Sequence, residues 1–262
     1  MAASALCSRL SNLVSIIQTT NLCHRFSDGT QSLSDVSLSF KEGEFTVIAG
    51  ANGSGKTTLL RHFNGLLFPA SGSVWVCGKS VKKDPSAARR QVGMVFQDAD
   101  SQIIGDTVYD DVAFGPENLR LSHSQINQRV TQSLSDVNLD GFDDKSPHNL
   151  SGGEKRRLAI AGVLAMTPRV LVMDEPFSNL DYPATCTIVS QLLKLHEAGH
   201  TIIITTHDLE KVIAYAGRLI VMDNGRVVRD GVPEEVVIGI EQYGIRPPCS
   251  IQLGKGIQPW VS

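Results

Sequence analysis

The sequence predicts an α/β fold in which a core of parallel strands carries an antiparallel β subdomain and a helical subdomain. Two continuous apolar runs, residues 170–173 and 201–205, are typical of buried parallel strands. A helical stretch over residues 183–197 lies between them, which is the order of a βαβ unit. A third apolar strand, residues 45–48, runs into a glycine-rich loop and then a helical pattern.

The other elements complete this organisation. Strand-like residues 16–22 and 36–40 predict an antiparallel layer, and residues 98–168 predict a mostly helical subdomain. Asn224-Gly225 predicts a tight hairpin turn between two short strands. We therefore expect an N-terminal extension (1–15), a main domain (16–235, with the helical subdomain at about 98–168) and a C-terminal tail (236–262).

Composition narrows the possible functions. The 262 residues are 42% hydrophobic and 19% charged, with a net charge of −3 and no long basic run, which argues against a nucleic-acid partner. No apolar stretch approaches the ~20 residues of a membrane-spanning helix. The N-terminus lacks the basic region of a signal peptide. The five cysteines show no metal-ligand or redox spacing, so we expect them to be reduced, as in the cytoplasm.

The glycine-rich loop, residues 50–57, matches the pattern G-x-x-x-x-G-K-[ST] between a strand and a helix. Its glycines allow a tight turn that points backbone N–H groups inward, and the helix N-terminus adds partial positive charge. Lys56 is expected to reach the β- and γ-phosphates of ATP, and the Thr57 hydroxyl to bind Mg²⁺. The predicted nucleotide-binding residues of this segment are Gly50, Ala51, Asn52, Gly53, Ser54, Gly55, Lys56, Thr57 and Thr58.

Two acids, Asp174 and Glu175, follow the apolar strand at residues 170–173. Adjacent carboxylates at the end of a buried strand are costly unless they have a function. We expect Asp174 to hold Mg²⁺ through water and Glu175 to polarise the water that attacks the γ-phosphate.

A second helix start has the features of an anion site. Ser151 and Glu154 form a predicted capping box, and Gly152 and Gly153 leave the helix N-terminus free of side chains. The helix starts after the glycine-rich loop and at Ser151 cannot both hold the same γ-phosphate within one loop. A head-to-tail dimer resolves this, because residues 151–154 of each copy (the Ser151 segment) close over the other copy's nucleotide.

With these motifs in order, the chain resembles an ATP-binding-cassette ATPase over about residues 16–235. The resemblance implies a P-loop NTPase core and assigns roles to four further residues. Gln97 would be a catalytic residue that senses Mg²⁺ and the attacking water and links to the transport partner. His207 would be a catalytic residue that contacts the γ-phosphate. Asp181 would communicate across the dimer, and Phe26 would stack on adenine.

Within that family, residues 95–116 and the segment 151–165 resemble the energy-coupling-factor branch, which also accommodates a glutamate at position 154. The resemblance implies uptake of a vitamin or of a transition-metal ion such as cobalt or nickel. It also implies a transmembrane scaffold protein, a separate substrate-capture membrane protein, and a location at the cytoplasmic face of the cell membrane as a peripheral subunit. The ATPase would act as a homodimer or as a heterodimer with a paralogue.

Residues 97–119 carry six acids and no Lys or Arg. These acids are Asp98, Asp100, Asp106, Asp110, Asp111 and Glu117. We predict that this acidic surface receives basic helices of the scaffold, since complementary charge fixes register and partner choice. Two alternatives remain open from the sequence: the ATPase of a conventional ABC importer, and a soluble ATP-dependent switch that takes no part in transport.

Overall fold

The computed structural model describes residues 15–261. The expectation that the N-terminus is not a signal peptide concerns residues outside this range, as does nearly all of the predicted N-terminal extension. Within it the chain forms ten strands and eight α-helices, with three short 3-10 turns. The four cysteines of this part, Cys23, Cys77, Cys186 and Cys249, are free thiols.

The strands form two sheets. In chain order they are β1 (Ser15–Arg25), β2 (Gln31–Lys41), β3 (Phe45–Ala49), β4 (Ser71–Val76), β5 (Lys79–Ser80), β6 (Val92–Val95), β7 (Val170–Asp174), β8 (Thr201–Thr206), β9 (Arg218–Asp223) and β10 (Arg226–Gly231). The first sheet has the order β2-β1-β4-β5 and is antiparallel. The second has the order β10-β9-β3-β8-β7-β6, and only β10 runs antiparallel to its neighbour.

The helices are α1 (Lys56–Phe63), α2 (Pro85–Gln91), α3 (Val108–Asn118), α4 (His123–Asp136), α5 (Gly152–Leu164), α6 (Tyr182–Glu197), α7 (Pro233–Val236) and α8 (Cys249–Gln252). None of the helices within residues 15–261 is both long and apolar enough to cross a bilayer. Helices α3, α4 and α5 pack on one another and lie within the segment predicted as the helical subdomain.

The parallel core and the antiparallel layer confirm the predicted α/β fold class. Strands β4 and β5 and helix α2 were not predicted, because they are short and lack a clear apolar period. Helix α5 begins at Gly152, earlier than its apolar residues suggest, because the capping box closes around Ser151 at the helix start.

The central sheet is buried on both faces, which explains its continuous apolar runs. Ile203 of β8 and Val172 of β7 pack with Phe40 and Phe63 under the antiparallel sheet. The neighbouring Ile202 and Ile204 face the other core, which holds the helical subdomain. The side chains of successive strand residues alternate between faces, so each strand contributes to both cores.

The first part of the predicted tail packs into that second core. Val236, Val237, Ile240 and Ile245 are buried there. Further along, Val261 exchanges hydrogen bonds with the Tyr215 hydroxyl, and the Trp260 ring meets Tyr182 edge to face with centroids 5.0 Å apart. The domain limits set above remain a prediction, but residues 236–245 share the core of the main domain.

The sheet order also positions the site. Strands β3, β8, β7 and β6 are parallel neighbours, so their carboxyl ends meet at one edge. The loops that leave this edge carry the glycine-rich segment, His207, the two acids and Gln97. Ligands of open α/β sheets bind outside the carboxyl ends of the strands.

Candidate nucleotide-binding site

A cavity of about 420 Å³ opens at this edge of the sheet. Residues 52–57 of the phosphate loop, which is defined as residues 50–57, line it together with Thr58, Glu175 and Gln97. The predicted residues Gly50 and Ala51 do not line it. Phe26 stands at its rim, 40% exposed. Thr30, just before β2, and Gln31 and Ser32 of β2 also line the cavity. These three were not predicted, because no local motif marks them.

Lys56 is held over the loop that precedes it. Its ammonium donates to the carbonyls of Gly50 at 2.7 Å and Ala51 at 3.1 Å, and lies 3.7 Å from Glu175 Oε1. Burial lowers the pKa of Lys56, while the charges of Glu175 and Asp174 oppose that shift. A partly desolvated cation directed into the cavity interacts more strongly with phosphate than an exposed lysine would.

Glycine is needed where the loop is approached closely. A Cβ on Gly55, whose φ is +99°, would lie 2.7 Å from the Ser32 carbonyl. Gly225, in the predicted hairpin turn, would place a Cβ 2.5 Å from the same oxygen. Its N–H donates to the Ser54 carbonyl at 3.1 Å. The hairpin turn therefore also braces the phosphate loop, a role that its sequence does not indicate.

Thr57 and Asp174 meet across the sheet. The Thr57 hydroxyl donates to Asp174 Oδ2 at 2.7 Å, and Thr205 donates to Asp174 Oδ1 at 2.6 Å. Hydroxyl and carboxylate oxygens suit Mg²⁺, which commonly takes one or two protein ligands together with phosphate oxygens and water. Residues 15–261 contain no cluster of three or more His, Cys, Asp or Glu that could hold a metal alone. The donor set thus fits Mg²⁺ bound together with a nucleotide.

Glu175 is buried and its backbone is held in an unusual conformation. Its φ is +48°, which costs energy in a residue with a side chain, and its N–H donates to the Thr205 carbonyl at 3.1 Å. Glu175 Oε2 lies 2.9 Å from Nδ1 of the exposed His207. Glu175 Oε1 is buried, has no hydrogen-bond partner in residues 15–261, and lies 3.7 Å from the Lys56 ammonium. Because Glu175 lines the cavity, its carboxylate lies beside the space that a nucleotide and water would occupy.

Phe26 belongs to a short aromatic stack. Its ring meets His24 edge to face with centroids 4.8 Å apart, and His24 meets His62 in the same way at 4.8 Å. His24 and His62 are buried, so they fix the position of the exposed Phe26 ring beside the cavity. A fixed aromatic face at a cavity rim suits a planar base.

Gln97 lies on the exposed loop after β6 and lines the cavity. Its backbone is held from α5: Arg156 donates to the carbonyls of Phe96 and Gln97, both at 2.6 Å. Arg156 was not predicted as a site residue. A basic residue in the first turns of a helix usually lies on a solvated face, and nothing in the sequence marks this one as buried.

The Ser151 segment forms the expected capping box. The Ser151 hydroxyl accepts from the Glu154 N–H at 3.3 Å, and the Ser151 N–H donates to Glu154 Oε2 at 2.7 Å. Ser151 and Gly152 are exposed, and a Cβ on Gly152 would meet nothing within 4 Å. None of these residues lines the cavity of the same chain. The helix start is therefore open to a ligand from outside the protomer.

Asp181 caps helix α6 by accepting from the Ala184 N–H at 2.9 Å. Helix α6 packs closely on α5, since a Cβ on Gly153 would lie 2.8 Å from Ala184 Cβ. The loop that ends at Asp181 begins at Glu175, and the Ser178 N–H donates to the Glu175 carbonyl at 3.1 Å. Asp181 thus lies between a loop that starts at the cavity residue Glu175 and a helix that packs on the Ser151 helix.

The predicted acidic surface is less acidic than its sequence suggests. Asp100 forms an ion pair with Lys155 at 2.5 Å. Asp111 is half-buried and accepts from the N–H groups of Ile104 at 2.7 Å and Gly105 at 3.0 Å. Burial raises the pKa of Asp111, and these two bonds oppose the shift. Asp110 is exposed, its N–H donates to the hydroxyl of Thr107, the N-cap of α3, and its carboxylate accepts from that hydroxyl. Asp98 accepts from the Asp100 N–H, so four of the six acids are engaged in local structure.

Beside these acids lies an apolar groove of about 350 Å³ between α3, α5 and β6. Leu66, Ile104 and Phe114 line it and are 46%, 60% and 51% exposed, and Asp111 and Arg89 are the charged groups of its lining. Exposed apolar residues that converge on one groove mark an interaction surface.

Comparison with known proteins relates this architecture to transport ATPases. Residues 33–178 match the family model described as ABC transporter. The energy-coupling factor transporter ATP-binding protein EcfA of Methanocaldococcus jannaschii is 44% identical over 229 residues, covering 86% of this chain and 82% of its own. A putative ABC transporter ATP-binding protein of Halobacterium salinarum is 47% identical over 233 residues, covering 89% of this chain and all of its own.

Solved structures agree. The cbiO1 protein of Clostridium perfringens, described as part of the ABC transporter complex cbiONQ, superposes with a TM-score of 0.80 at 39% identity, covering 92% of this chain and 99% of that one. The dimeric ABC transporter cassette MJ0796 superposes with a TM-score of 0.75 at 30% identity, covering 83% of this chain and 98% of that one.

Proposed function

Because this chain belongs to the ABC transporter family, and within it to the energy-coupling-factor ATP-binding proteins, we propose that it hydrolyses ATP in a dimer to drive uptake of a transition-metal ion or vitamin. The observation that carries the proposal is the cavity that Lys56 and Thr57 of the phosphate loop line together with Glu175. ATP binding follows from membership of the family. The dimeric site, the residue roles, Mg²⁺ and the solute are parts of the proposal.

In this mechanism ATP lies with its base against Phe26 and its phosphates on the N–H groups of the phosphate loop. Lys56 stabilises the charge that develops on the γ-phosphate. Thr57, Asp174 and Gln97 would hold Mg²⁺, which would neutralise phosphate charge. The Glu175 carboxylate orients a water molecule for in-line attack and accepts its proton, while His207 holds Glu175 Oε2 in place.

The second half of each site comes from another copy or a paralogue. The exposed Ser151 segment supports this, because its helix start lies outside the cavity of its own chain. In the proposed dimer, Ser151, Gly152, Gly153 and Glu154 close over the partner's γ-phosphate, and Asp181 joins the two sites. Loss of the γ-phosphate removes contacts to both subunits, so the dimer opens.

The membrane partners are proposed from the apolar groove. An exposed groove with Leu66, Ile104 and Phe114 on its lining suits an amphipathic helix of a transmembrane scaffold. Asp98, Asp106, Asp110 and Glu117 would attract basic residues on that helix. In this arrangement the chain is a peripheral subunit at the cytoplasmic face of the membrane, and a separate membrane protein captures the solute.

The experiment is extraction of native membranes in mild detergent, purification through a tag on this chain, and mass spectrometry of the partners. The proposal expects one small scaffold protein and one substrate-capture protein, whose identity indicates the solute. Two conventional permease subunits would indicate an ordinary ABC importer. No membrane protein at all would indicate an ATPase outside transport.

A further inference from the structure

Arg156 is a buried cation that the mechanism above does not use. It is 4% exposed, and its two terminal nitrogens donate to the Phe96 and Gln97 carbonyls. Its Nε has no hydrogen-bond partner among residues 15–261. In the same part of the chain no carboxylate forms an ion pair with it. Burial lowers the pKa of Arg156, and the charges of Asp98 and Asp174 oppose that shift. A buried charge is costly, so packing alone does not explain its presence.

The two carbonyls identify what Arg156 holds. Phe96 and Gln97 are the first residues after β6, at the point where the chain turns from the sheet into the loop beside the cavity. The Phe96 N–H is fixed separately, by Gln102 Oε1 at 3.0 Å. The Gln97 carbonyl is fixed by Arg156. The orientation of Gln97 therefore depends on a side chain from α5.

Helix α5 is the same helix whose first residues form the Ser151 segment. Arg156 lies between that segment and the apolar part of the helix, within two turns of Ser151. A rigid helix moves as one body, so a rotation that brings Ser151 toward a partner's nucleotide also moves the guanidinium and the loop bound to it.

We propose that Arg156 is a positioning residue that fixes Gln97 in the cavity and ties its orientation to that of the Ser151 helix. The proposal rests on the proposed function, because it requires that Gln97 act on bound ATP and that Ser151 complete a partner's site. Arg156 touches neither nucleotide nor water in this scheme, and it acts through Gln97.

Arg157 provides a matched control. It lies on the same helix and also donates to two backbone carbonyls, those of Val137 at 3.1 Å and Asn138 at 2.7 Å. These carbonyls follow helix α4 in the helical subdomain and do not line the cavity. A general loss of helix packing affects Arg157→Met and Arg156→Met alike, whereas a loss of Gln97 positioning affects only the latter.

The experiment measures steady-state ATP hydrolysis by the full-length chain with Mg²⁺, together with equilibrium binding of a fluorescent ATP analogue. We expect Arg156→Met to lower kcat by about 10- to 100-fold, the scale of a misplaced catalytic group. KM and the Kd of the analogue should stay close to wild type. Arg156→Lys, which restores one donor and the charge, should recover part of kcat, and Arg157→Met should retain it.

An unchanged kcat in folded Arg156→Met overturns the proposal. So does a parallel loss of nucleotide binding and thermal stability that Arg156→Lys does not relieve, since that pattern indicates only packing. If Arg156→Met yields no folded protein, Arg156→Lys decides: it must show a lower kcat at unchanged Kd. Wild-type protein that hydrolyses no ATP, or that Glu175→Gln does not impair, contradicts the proposed function instead.

Discussion

The ammonium of Lys56 lies 3.7 Å from Oε1 of Glu175, and both side chains are less than 10% exposed. The contact joins the phosphate loop after β3 to the acid after β7. In the parallel sheet these strands are separated by β8, and all three end at the same edge. The strand order itself therefore brings the proposed phosphate-binding cation and the proposed base together.

Replacing Glu175 by Gln should lower ATP turnover by about 10²- to 10⁴-fold, because the amide cannot accept the proton of the attacking water. ATP should still bind, and the dimer should remain closed because hydrolysis no longer opens it. Turnover is measured by phosphate release, and the dimer by size-exclusion chromatography with ATP and Mg²⁺. Near-normal phosphate release would mean that another group handles the water.

Replacing Lys56 by Ala should abolish productive ATP binding, because the cation directed at the β- and γ-phosphates is lost. It also leaves the buried Glu175 carboxylate without its charge partner, so we expect a lower melting temperature. The double variant Lys56→Ala/Glu175→Gln should recover part of that stability without recovering binding. Full ATP affinity in Lys56→Ala, measured by equilibrium dialysis, would contradict the role of the phosphate loop.

Replacing Thr57 by Val should weaken the binding of Mg²⁺ with ATP, because Val keeps the shape but removes the hydroxyl that meets Asp174. Thr57→Ser keeps the hydroxyl and serves as the control. The measurement is a Mg²⁺ titration of ATP hydrolysis, with the half-saturating concentration rising in Thr57→Val only. Equal titrations for the two variants would remove Thr57 from the proposed magnesium site.

Replacing Phe114 by Asp should release the ATPase from its membrane partner while ATP binding is retained. Phe114 is 51% exposed on the apolar groove, so the added charge faces the docked helix rather than the core. Leu253→Asp, at a position 71% exposed and outside the groove, is the control. Recovery of the scaffold in the tagged purification is the readout. Unchanged recovery with Phe114→Asp would rule out the groove as the docking site.

Charge reversal tests the acidic residues separately. Because Asp111 accepts two backbone N–H groups, reversing it would disturb the loop at Ile104 and Gly105 directly. Asp110→Lys is the more specific change, since Asp110 is exposed and its carboxylate accepts from the Thr107 hydroxyl rather than from backbone N–H groups. It should weaken assembly more at low than at high ionic strength, because salt screens exposed charges. Assembly that is unaffected at every salt concentration would reject the electrostatic part of docking.

Features that depend on a few neighbouring residues could be predicted from the sequence. The strand–loop–helix order around Lys56, the two acids after an apolar run, and the capping box at Ser151 each depend on local geometry. The fold class followed from these segments, because buried parallel strands have a recognisable apolar pattern. Short elements such as β5 and α2 could not be predicted, because so few residues show no clear apolar period.

Local sequence patterns therefore identified the phosphate loop, the parallel core and the kind of chemistry. Which distant groups meet depends on how the strands and helices pack. Thr57 reaches Asp174 over a separation of 117 residues because β3, β8 and β7 lie side by side, and Arg156 reaches Gln97 because α5 packs against the end of β6. Both contacts depend on strand order and helix packing, which no local pattern of residues encodes.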